Sequence, residues 1–219
     1  MAMKGLSVLK QGHVEFNALC VVTDLSAGRW KDIYAFFAGE DIRYLQFVPC
    51  RERDAAGNAA PFNVGANQYG EFLCRMFDLW KADFPNVYIR LFNSVLATRL
   101  GGEGGFCTLG PRCAEYVVVE YNGDVYPCDF FVEKSMLLGN LMVASLAKIV
   151  ESTALEEFAR AKTRLAQECR DCPWLDLCFG GCQYHRPDLT HPSRSDLCAS
   201  YRRFFEHSEE GFRELERRL

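Results

Sequence analysis

Eight cysteines in the second half of the chain have the residue type and the number that metal binding requires. The chain has 11 cysteines among 219 residues, while the rest of its composition is that of an ordinary globular protein. Thiolates are soft ligands that select zinc or iron–sulfur clusters, and each structural zinc ion or cubane cluster takes four of them. Eight thiols therefore make two sets of four. They are Cys107, Cys113, Cys128, Cys169, Cys172, Cys178, Cys182 and Cys198.

The spacing of these cysteines favours iron–sulfur clusters over zinc. Zinc ribbons usually place two Cys-x2-Cys pairs a dozen or more residues apart, and here Cys169 and Cys172 form the one such pair. His185 and His191 lie beyond Cys182 without the spacing of paired zinc ligands. We therefore expect two iron–sulfur clusters, with zinc binding and unligated or redox-active thiols as the remaining alternatives.

Three kinds of neighbour accompany the cysteines. Gly180 and Gly181 lack a Cβ atom, so their N–H groups can approach a sulfur atom closely; a tight turn is the alternative role. Asp129 directly follows Cys128, at a position where an aspartate is usually a turn or cap residue. Arg112 and Arg170 each adjoin a cysteine, and we expect them to be solvated surface residues rather than counter-charges of a cluster.

The charge and hydropathy of the chain exclude several classes of function. Lys and Arg number 25 against 29 Asp and Glu, with both signs interleaved along the chain, so no basic surface for nucleic acid or an anionic membrane is expected. No apolar run reaches the ~20 residues of a membrane-spanning helix, and the N-terminal residues lack the apolar core of a signal peptide. The sequence predicts a cytoplasmic protein with reduced thiols.

Up to about residue 100, short apolar runs alternate with helical patterns. Strands are predicted over residues 14–22, 42–48 and 87–92, and a helix over residues 30–37. A second helix carries an apolar stripe with intervals of three and four residues: Tyr69, Phe72, Leu73, Met76, Phe77 and Trp80. This alternation is typical of βα units around a parallel sheet.

Three βα units cannot close a barrel, and an open sheet of this size leaves its first strand as an unprotected edge. Residues 3–10 also look like the end of an amphipathic helix without a visible capping start. We therefore expect that a longer protein contains further chain upstream.

The composition changes after residues 101–105, a Gly-Gly-Glu-Gly-Gly segment that breaks the periodicity. Beyond it, residues 116–121 and 124–126 form a predicted hairpin, and Asn122-Gly123 between them predicts a type I′ turn. Helices are predicted over residues 146–151, 155–164 and 199–219.

The sequence thus predicts two domains: an α/β domain of βα units over residues 1–100, and a small cysteine-rich α+β domain with one hairpin over residues 101–219.

Two motifs in the cysteine-rich domain carry a family resemblance. EYNGDVYPCD at residues 120–129 and CFGGC at residues 178–182 resemble the SPASM domain of radical SAM enzymes. LGN at residues 138–140, EFN at 15–17 and QFVPC at 46–50 are similar to one branch of that family, the anaerobic sulfatase-maturating enzymes. The resemblance therefore covers nearly the whole chain, and it implies that residues 1–100 are the last three βα units of a partial radical SAM barrel.

In that family the SPASM domain binds two auxiliary [4Fe–4S] clusters through interleaved ligands. The resemblance assigns Cys107, Cys113, Cys128 and Cys182 to auxiliary cluster I. It assigns Cys169, Cys172, Cys178 and Cys198 to auxiliary cluster II. It also implies that Asp129 is the catalytic proton acceptor of the complete enzyme.

The chain departs from the family in one respect, because it contains no Cys-x3-Cys-x2-Cys motif. This motif holds the [4Fe–4S] cluster that cleaves S-adenosyl-L-methionine and belongs to the N-terminal half. The resemblance therefore implies a C-terminal part that is not catalytic alone and needs the missing radical SAM half.

For the complete enzyme, the resemblance implies oxidation of a Cys or Ser in a sulfatase peptide to formylglycine. Its cofactors would be S-adenosyl-L-methionine and a third [4Fe–4S] cluster, and its partners the sulfatase peptide and an electron donor such as ferredoxin or flavodoxin. Two alternatives stay open: a SPASM enzyme that modifies another peptide, for example by thioether formation, and a stand-alone electron-transfer module.

Overall fold

The structure is a computed structural model that describes residues 2–54, 58–188 and 191–219. These residues form two compact units. The first contains the residues up to Leu96 together with Arg203–Leu219, and the second is Ala97–Arg202.

Alternating strands and helices build the first unit, as the apolar pattern predicts. An N-terminal helix, α1, precedes them and spans Ala2–Gln11. The alternating elements are β1 (Ala18–Val22), α2 (Trp30–Gly39), β2 (Tyr44–Pro49), α3 (Ala66–Asp83), β3 (Tyr88–Ile89) and α4 (Arg90–Arg99).

The three strands form one parallel sheet in the order β1-β2-β3. Cys20 lies opposite Phe47 in the pairing of β1 with β2, and Tyr44 lies opposite Tyr88 in the pairing of β2 with β3. Within the described residues, β1 is an edge strand whose sheet partner is β2. Its side chains Leu19 and Val21 are 62% and 55% exposed, so one apolar face of the edge is open.

The predicted third strand was wrong beyond Ile89. Residues 90–92 are helical because Leu91, Phe92 and Val95 share a buried helix face. The side chain of Asn93 accepts a hydrogen bond from the Ile89 N–H at 2.9 Å and holds the start of α4. The first strand is also shorter than predicted, since it begins at Ala18 rather than at residue 14.

The core of the first unit is aromatic and lies around α3. The ring centroids of Phe77 and Phe92 are 5.6 Å apart with perpendicular planes, an edge-to-face geometry that stabilises the pair beyond its burial. Trp80 is fully buried, and its indole N–H donates to the carbonyl oxygen of Val87 at 3.0 Å. The apolar stripe predicted on this helix is therefore confirmed as the core-forming face.

The last helix, α9, spans Cys198–Glu216. Its residues from Arg203 onward group with the first unit, because Phe212 packs against Phe77 with ring centroids 4.8 Å apart. The Lys81 ammonium also lies 2.7 Å from the Glu214 carboxylate. The compact units thus differ from the predicted domains in the placement of this helix. The predicted domain boundary between residues 100 and 101 stays a prediction.

The second unit contains a three-stranded antiparallel sheet of β4 (Val118–Val119), β5 (Asp124–Tyr126) and β6 (Gly139–Asn140). The predicted hairpin is confirmed, and the sequence did not predict its third strand. The type I′ turn was wrong, because among the described residues Gly123 (φ 87°) has positive φ and Asn122 does not. The Gly123 N–H donates to the Glu120 carbonyl, so the loop has three residues and ends in a left-handed glycine.

Short helices complete the second unit and pack around a small core of Phe131, Leu155 and Phe158. Among the described residues, no helix is long and apolar enough to cross a membrane. The helices of this unit are α5 (Leu146–Val150), α6 (Thr153–Ala161), α7 (Gln167–Arg170) and α8 (Leu175–Cys178).

We predict that Gly211→Ala destabilises the first unit although alanine favours helices by up to about 1 kcal/mol. A Cβ atom at Gly211 would lie 2.7 Å from a ring atom of Phe77, and overpacking of this kind costs about 1–3 kcal/mol. We expect a net loss on the order of 1 kcal/mol in urea unfolding. Gly5→Ala in α1 is the control, because no atom lies within 4 Å of its Cβ position, and it should not destabilise. Equal effects of the two variants would contradict the packing at Phe77.

Candidate metal centre

Four cysteines of the second unit line one cavity of about 40 Å³. They come from distant parts of the chain: a short 3₁₀ turn, a loop, the segment just after β5 and the loop after α8. The four are Cys107, Cys113, Cys128 and Cys182.

The thiols around this cavity are electrostatic neighbours. Burial raises the pKa of Cys113 to about 11, and the thiols of Cys107 and Cys128 act in the same direction. Burial also raises the pKa of Cys182 to about 11, again with contributions from Cys113 and Cys107. These four sulfur atoms therefore form one group, which we call the first thiol set.

A second thiol set lies around α7, α8 and the start of α9. Burial raises the pKa of Cys178 to about 12, and three other thiols add to this shift. Those three are Cys198, Cys169 and Cys172. Burial also raises the pKa of Cys198, with Cys172 among its neighbours.

The two thiol sets are interleaved along the chain. Cys182 lies between Cys178 and Cys198 in sequence, yet its neighbours include Cys113 and Cys107 of the first thiol set. The two groups have the same members as the two ligand sets implied by the family resemblance. Ligation itself stays a prediction.

Backbone amides donate hydrogen bonds to the sulfur atoms of both thiol sets. The N–H of Phe130 points to Cys128, that of Tyr184 to Cys182 and that of Gly180 to Cys178. Each of these hydrogen bonds lowers the pKa of the thiol that accepts it, because it stabilises the thiolate.

The Gly180 amide depends on an unusual backbone. Phe179, Gly180 and Gly181 are three consecutive residues with positive φ, at 47°, 75° and 70°. Glycine adopts this conformation without strain. A Cβ at Gly180 would also collide with the side chain of Leu165 and lie 2.7 Å from Arg186. This loop therefore requires glycine on both conformational and steric grounds.

Two buried cations accompany the thiol sets. Lys162 is fully buried, and its ammonium donates to the carbonyl oxygens of Cys107 and Thr108. Arg186 is 5% exposed and donates to the carbonyl oxygens of Arg164 and Gly180 at 3.3 and 3.4 Å.

Sequence reasoning missed both cations and considered Arg112 and Arg170 instead. Arg112 pairs with Glu156 at the surface, and Arg170 is exposed. Lys162 could have been found, because it follows Leu155 by seven residues and Phe158 by four, and so lies on the apolar face of a predicted helix. Nothing in the sequence marks Arg186.

The donor set fits iron–sulfur clusters. The ligands are soft thiols in two groups of four, backbone amides point at the sulfur atoms, and buried cations can offset the negative charge of thiolate-bound clusters. Within the described ranges, no group of three or more His, Cys, Asp or Glu side chains is arranged to hold a single metal ion. The two observations are compatible, because a four-iron cluster is wider than one ion and its ligands need not converge on one point.

Asp129 lies beside the first thiol set and is exposed. Its Oδ1 accepts hydrogen bonds from the Tyr116 hydroxyl at 2.8 Å and from the Cys128 thiol at 3.2 Å. Burial, together with Cys128 and Asp129, raises the pKa of Tyr116, so its hydroxyl keeps its proton and remains a donor. Oδ2 of Asp129 has no hydrogen-bond partner among the residues that the structure describes.

The other cysteines lie outside both thiol sets, and we expect no chemistry from them. Cys74 is buried in α3, its thiol points to the carbonyl oxygen of Arg203 at 3.7 Å, and burial raises its pKa to about 11. Burial also raises the pKa of Cys20 in β1 and of Cys50 after β2.

Comparison with known proteins first identifies the class of the second unit. Residues 107–173 match the SPASM domain, described as an iron-sulfur cluster-binding domain. This match includes five of the eight cysteines of the two thiol sets; Cys178, Cys182 and Cys198 lie beyond it.

Two relatives extend the similarity to nearly the whole chain. The serine-type anaerobic sulfatase-maturating enzyme of Bacteroides thetaiotaomicron is 36% identical over 225 residues, which cover 94% of this chain and 54% of that protein. The cysteine-type enzyme of Clostridium perfringens strain 13 is 36% identical over 213 residues, which cover 94% of this chain and 57% of that protein.

A solved structure with the description "Native anSMEcpe with bound AdoMet and Kp18Cys peptide" superposes with a TM-score of 0.87 at 32% identity. The match covers 99% of this chain and 62% of that one. The predicted fold class is thereby confirmed. The chain carries a match to the SPASM domain at residues 107–173, is similar to the anaerobic sulfatase-maturating enzymes along 94% of its own length, and spans about half of theirs.

We predict that Gly180→Ala destabilises the second unit at the loop between Cys178 and Cys182. Left-handed backbone costs a residue with a Cβ about 1–2 kcal/mol, and the collision with Leu165 adds to that cost. Gly105→Ala is the matched control, because Gly105 has φ +67° but no atom within 4 Å of its Cβ position. In urea unfolding we expect the Gly180 variant to lose clearly more stability than the Gly105 variant. Similar losses would mean that φ alone matters at Gly180.

Proposed function

We propose that this chain binds two [4Fe–4S] clusters through its two thiol sets. Cys107, Cys113, Cys128 and Cys182 hold auxiliary cluster I. Cys169, Cys172, Cys178 and Cys198 hold auxiliary cluster II. The observation that carries the proposal is the grouping of eight buried or half-buried thiols into two sets of four, within a chain related to sulfatase-maturating enzymes along 94% of its length.

The chemistry of the unit supports this proposal. Burial keeps metal-free thiols protonated, whereas cluster formation deprotonates them and supplies the negative charge that the buried Lys162 and Arg186 can offset. Ligands from four separate segments also make cluster assembly part of the folding of the second unit.

We predict about eight iron and about eight sulfide per chain after anaerobic reconstitution, measured chemically together with the visible spectrum. Cys113→Ala and Cys178→Ala should each lose about four iron, because each removes a ligand of a different cluster. Cys74→Ala, outside both sets, should keep about eight. Zinc in place of iron, or a folded protein with eight free thiols, would contradict the proposal.

We further propose that the complete protein oxidises a Cys or Ser of a sulfatase peptide to formylglycine by radical SAM chemistry. The remaining part of such a protein would bind S-adenosyl-L-methionine and a third [4Fe–4S] cluster, and a ferredoxin or flavodoxin would supply electrons. After hydrogen abstraction from the substrate Cβ, a proton and an electron must leave; for Cys, hydrolysis then gives the aldehyde. The bound auxiliary clusters supply the electron acceptor.

Within this chain, Asp129 is the proposed proton acceptor. Tyr116 fixes Oδ1 of the carboxylate through its hydroxyl, so Oδ2 is left to accept the proton. The carboxylate is exposed and lies next to Cys128, a proposed ligand of auxiliary cluster I. Proton and electron would therefore leave the substrate on the same side of the site.

We predict that Asp129→Asn abolishes formylglycine formation, because an amide cannot accept the proton, and leaves iron content unchanged. Since the chain spans about half of its relatives, the assay uses a fusion of this chain to the N-terminal part of the Clostridium perfringens enzyme. Mass spectrometry of a synthetic sulfatase peptide would detect the aldehyde.

Asp124→Asn is the control, because Asp124 lies on the same hairpin and bonds Asn122 and Asn140 instead. Normal turnover in the Asp129 variant would remove its proposed role. A fusion that modifies another peptide but not a sulfatase peptide would favour the alternative of a different SPASM enzyme.

A further inference from the structure

Arg186 occupies a position that relates it to both thiol sets. It follows Cys182 of the first set by four residues, and its Nη2 donates to the carbonyl of Gly180, in the loop between Cys178 and Cys182. Thiols of both sets act on its guanidinium: Cys113 and Cys182 of the first, Cys169 and Cys178 of the second. One buried side chain therefore interacts electrostatically with thiols of both sets.

Among the described residues, no carboxylate pairs with the buried charge of Arg186. Arg186 is 5% exposed, and its hydrogen bonds go to two backbone carbonyls. Its Nε has no hydrogen-bond partner among the residues that the structure describes. A guanidinium keeps its proton in proteins, and an uncompensated buried charge is strongly unfavourable. Negative charge must therefore come from the thiolates.

Lys162 differs from Arg186 because it interacts with the first thiol set only. Its ammonium donates to the carbonyl of Cys107 itself, and the thiols that act on it, Cys113, Cys182 and Cys107, all belong to the first thiol set. Within the described part of the chain it likewise has no carboxylate partner. The two cations thus differ in how many clusters they face.

We propose that Arg186 is a shared counter-charge that raises the reduction potentials of both auxiliary clusters, while Lys162 raises that of auxiliary cluster I alone. This inference rests on the proposed two-cluster function, and within that function it gives Arg186 control over the reduction potentials. Each electron that a cluster accepts adds one negative charge, so a fixed buried cation stabilises the reduced state.

The test is a potentiometric titration of the anaerobically reconstituted chain, followed by visible and electron paramagnetic resonance spectra. Arg186→Gln should make reduction of both clusters harder by roughly tenfold in equilibrium constant, about 59 mV for a one-electron step. Arg186→Lys should restore both potentials toward wild type. Lys162→Gln should lower one potential only. Arg170→Gln is the control, because Arg170 adjoins Cys169 in sequence but is exposed, and it should shift neither.

Unchanged potentials in an Arg186→Gln protein that holds about eight iron would overturn the proposal and leave the two-cluster function standing. Absence of iron from the wild-type chain would instead defeat the proposed function itself. If the Arg186→Gln protein loses its clusters, the Lys162→Gln protein decides the question. A shift of one potential in that protein supports electrostatic control by the buried cations. Loss of iron from that protein as well would assign both cations to folding and overturn the proposal.

Discussion

The burial or partial burial of eight thiols within one small unit is the constraint on which the second half of the molecule depends. Buried thiols resist ionisation, as the raised pKa values of Cys113, Cys128, Cys178 and Cys182 show. Lys162 and Arg186 are buried too, and a buried cation is destabilised unless negative charge lies nearby. Metal binding would satisfy both requirements at once, because it replaces the thiol protons and leaves anionic ligands. Ligation, charge balance and folding are then one coupled equilibrium rather than three separate properties.

Much of the fold could be predicted from local patterns. The apolar stripe on α3 and the β4–β5 hairpin have strong periodic signals, and both are present. The apolar run at residues 87–92 was misassigned because a short run of this kind fits a strand and a buried helix equally well. Its continuation into α4 depends on contacts with the rest of the first unit, such as the ring of Phe92 against Phe77. The hairpin loop was also misjudged, since Asn-Gly permits more than one turn and its length is set by the strand register.

The site divides in the same way. Cysteine number and spacing indicated metal, but the grouping of Cys182 with the first thiol set is a tertiary fact that spacing cannot contain. The family resemblance supplied it. Tyr116 was missed because it lies thirteen residues before Asp129 and meets it only across the hairpin. Arg186 was missed because a single arginine in a polar segment has no periodic signal, and only the structure shows that it is buried.

The open edge at β1 has a consequence for how this chain behaves in solution. Among the described residues, this strand pairs on one side only, with β2, and it carries the exposed side chains of Leu19 and Val21 with no charged residue between Ala18 and Val22. Natural proteins usually protect such edges with charge, proline or a covering segment. A net charge of −4 gives only weak repulsion between copies. Concentrated preparations of the 219-residue chain should therefore self-associate along this strand, and a lysine at Val21 would be the simplest means to keep it monomeric.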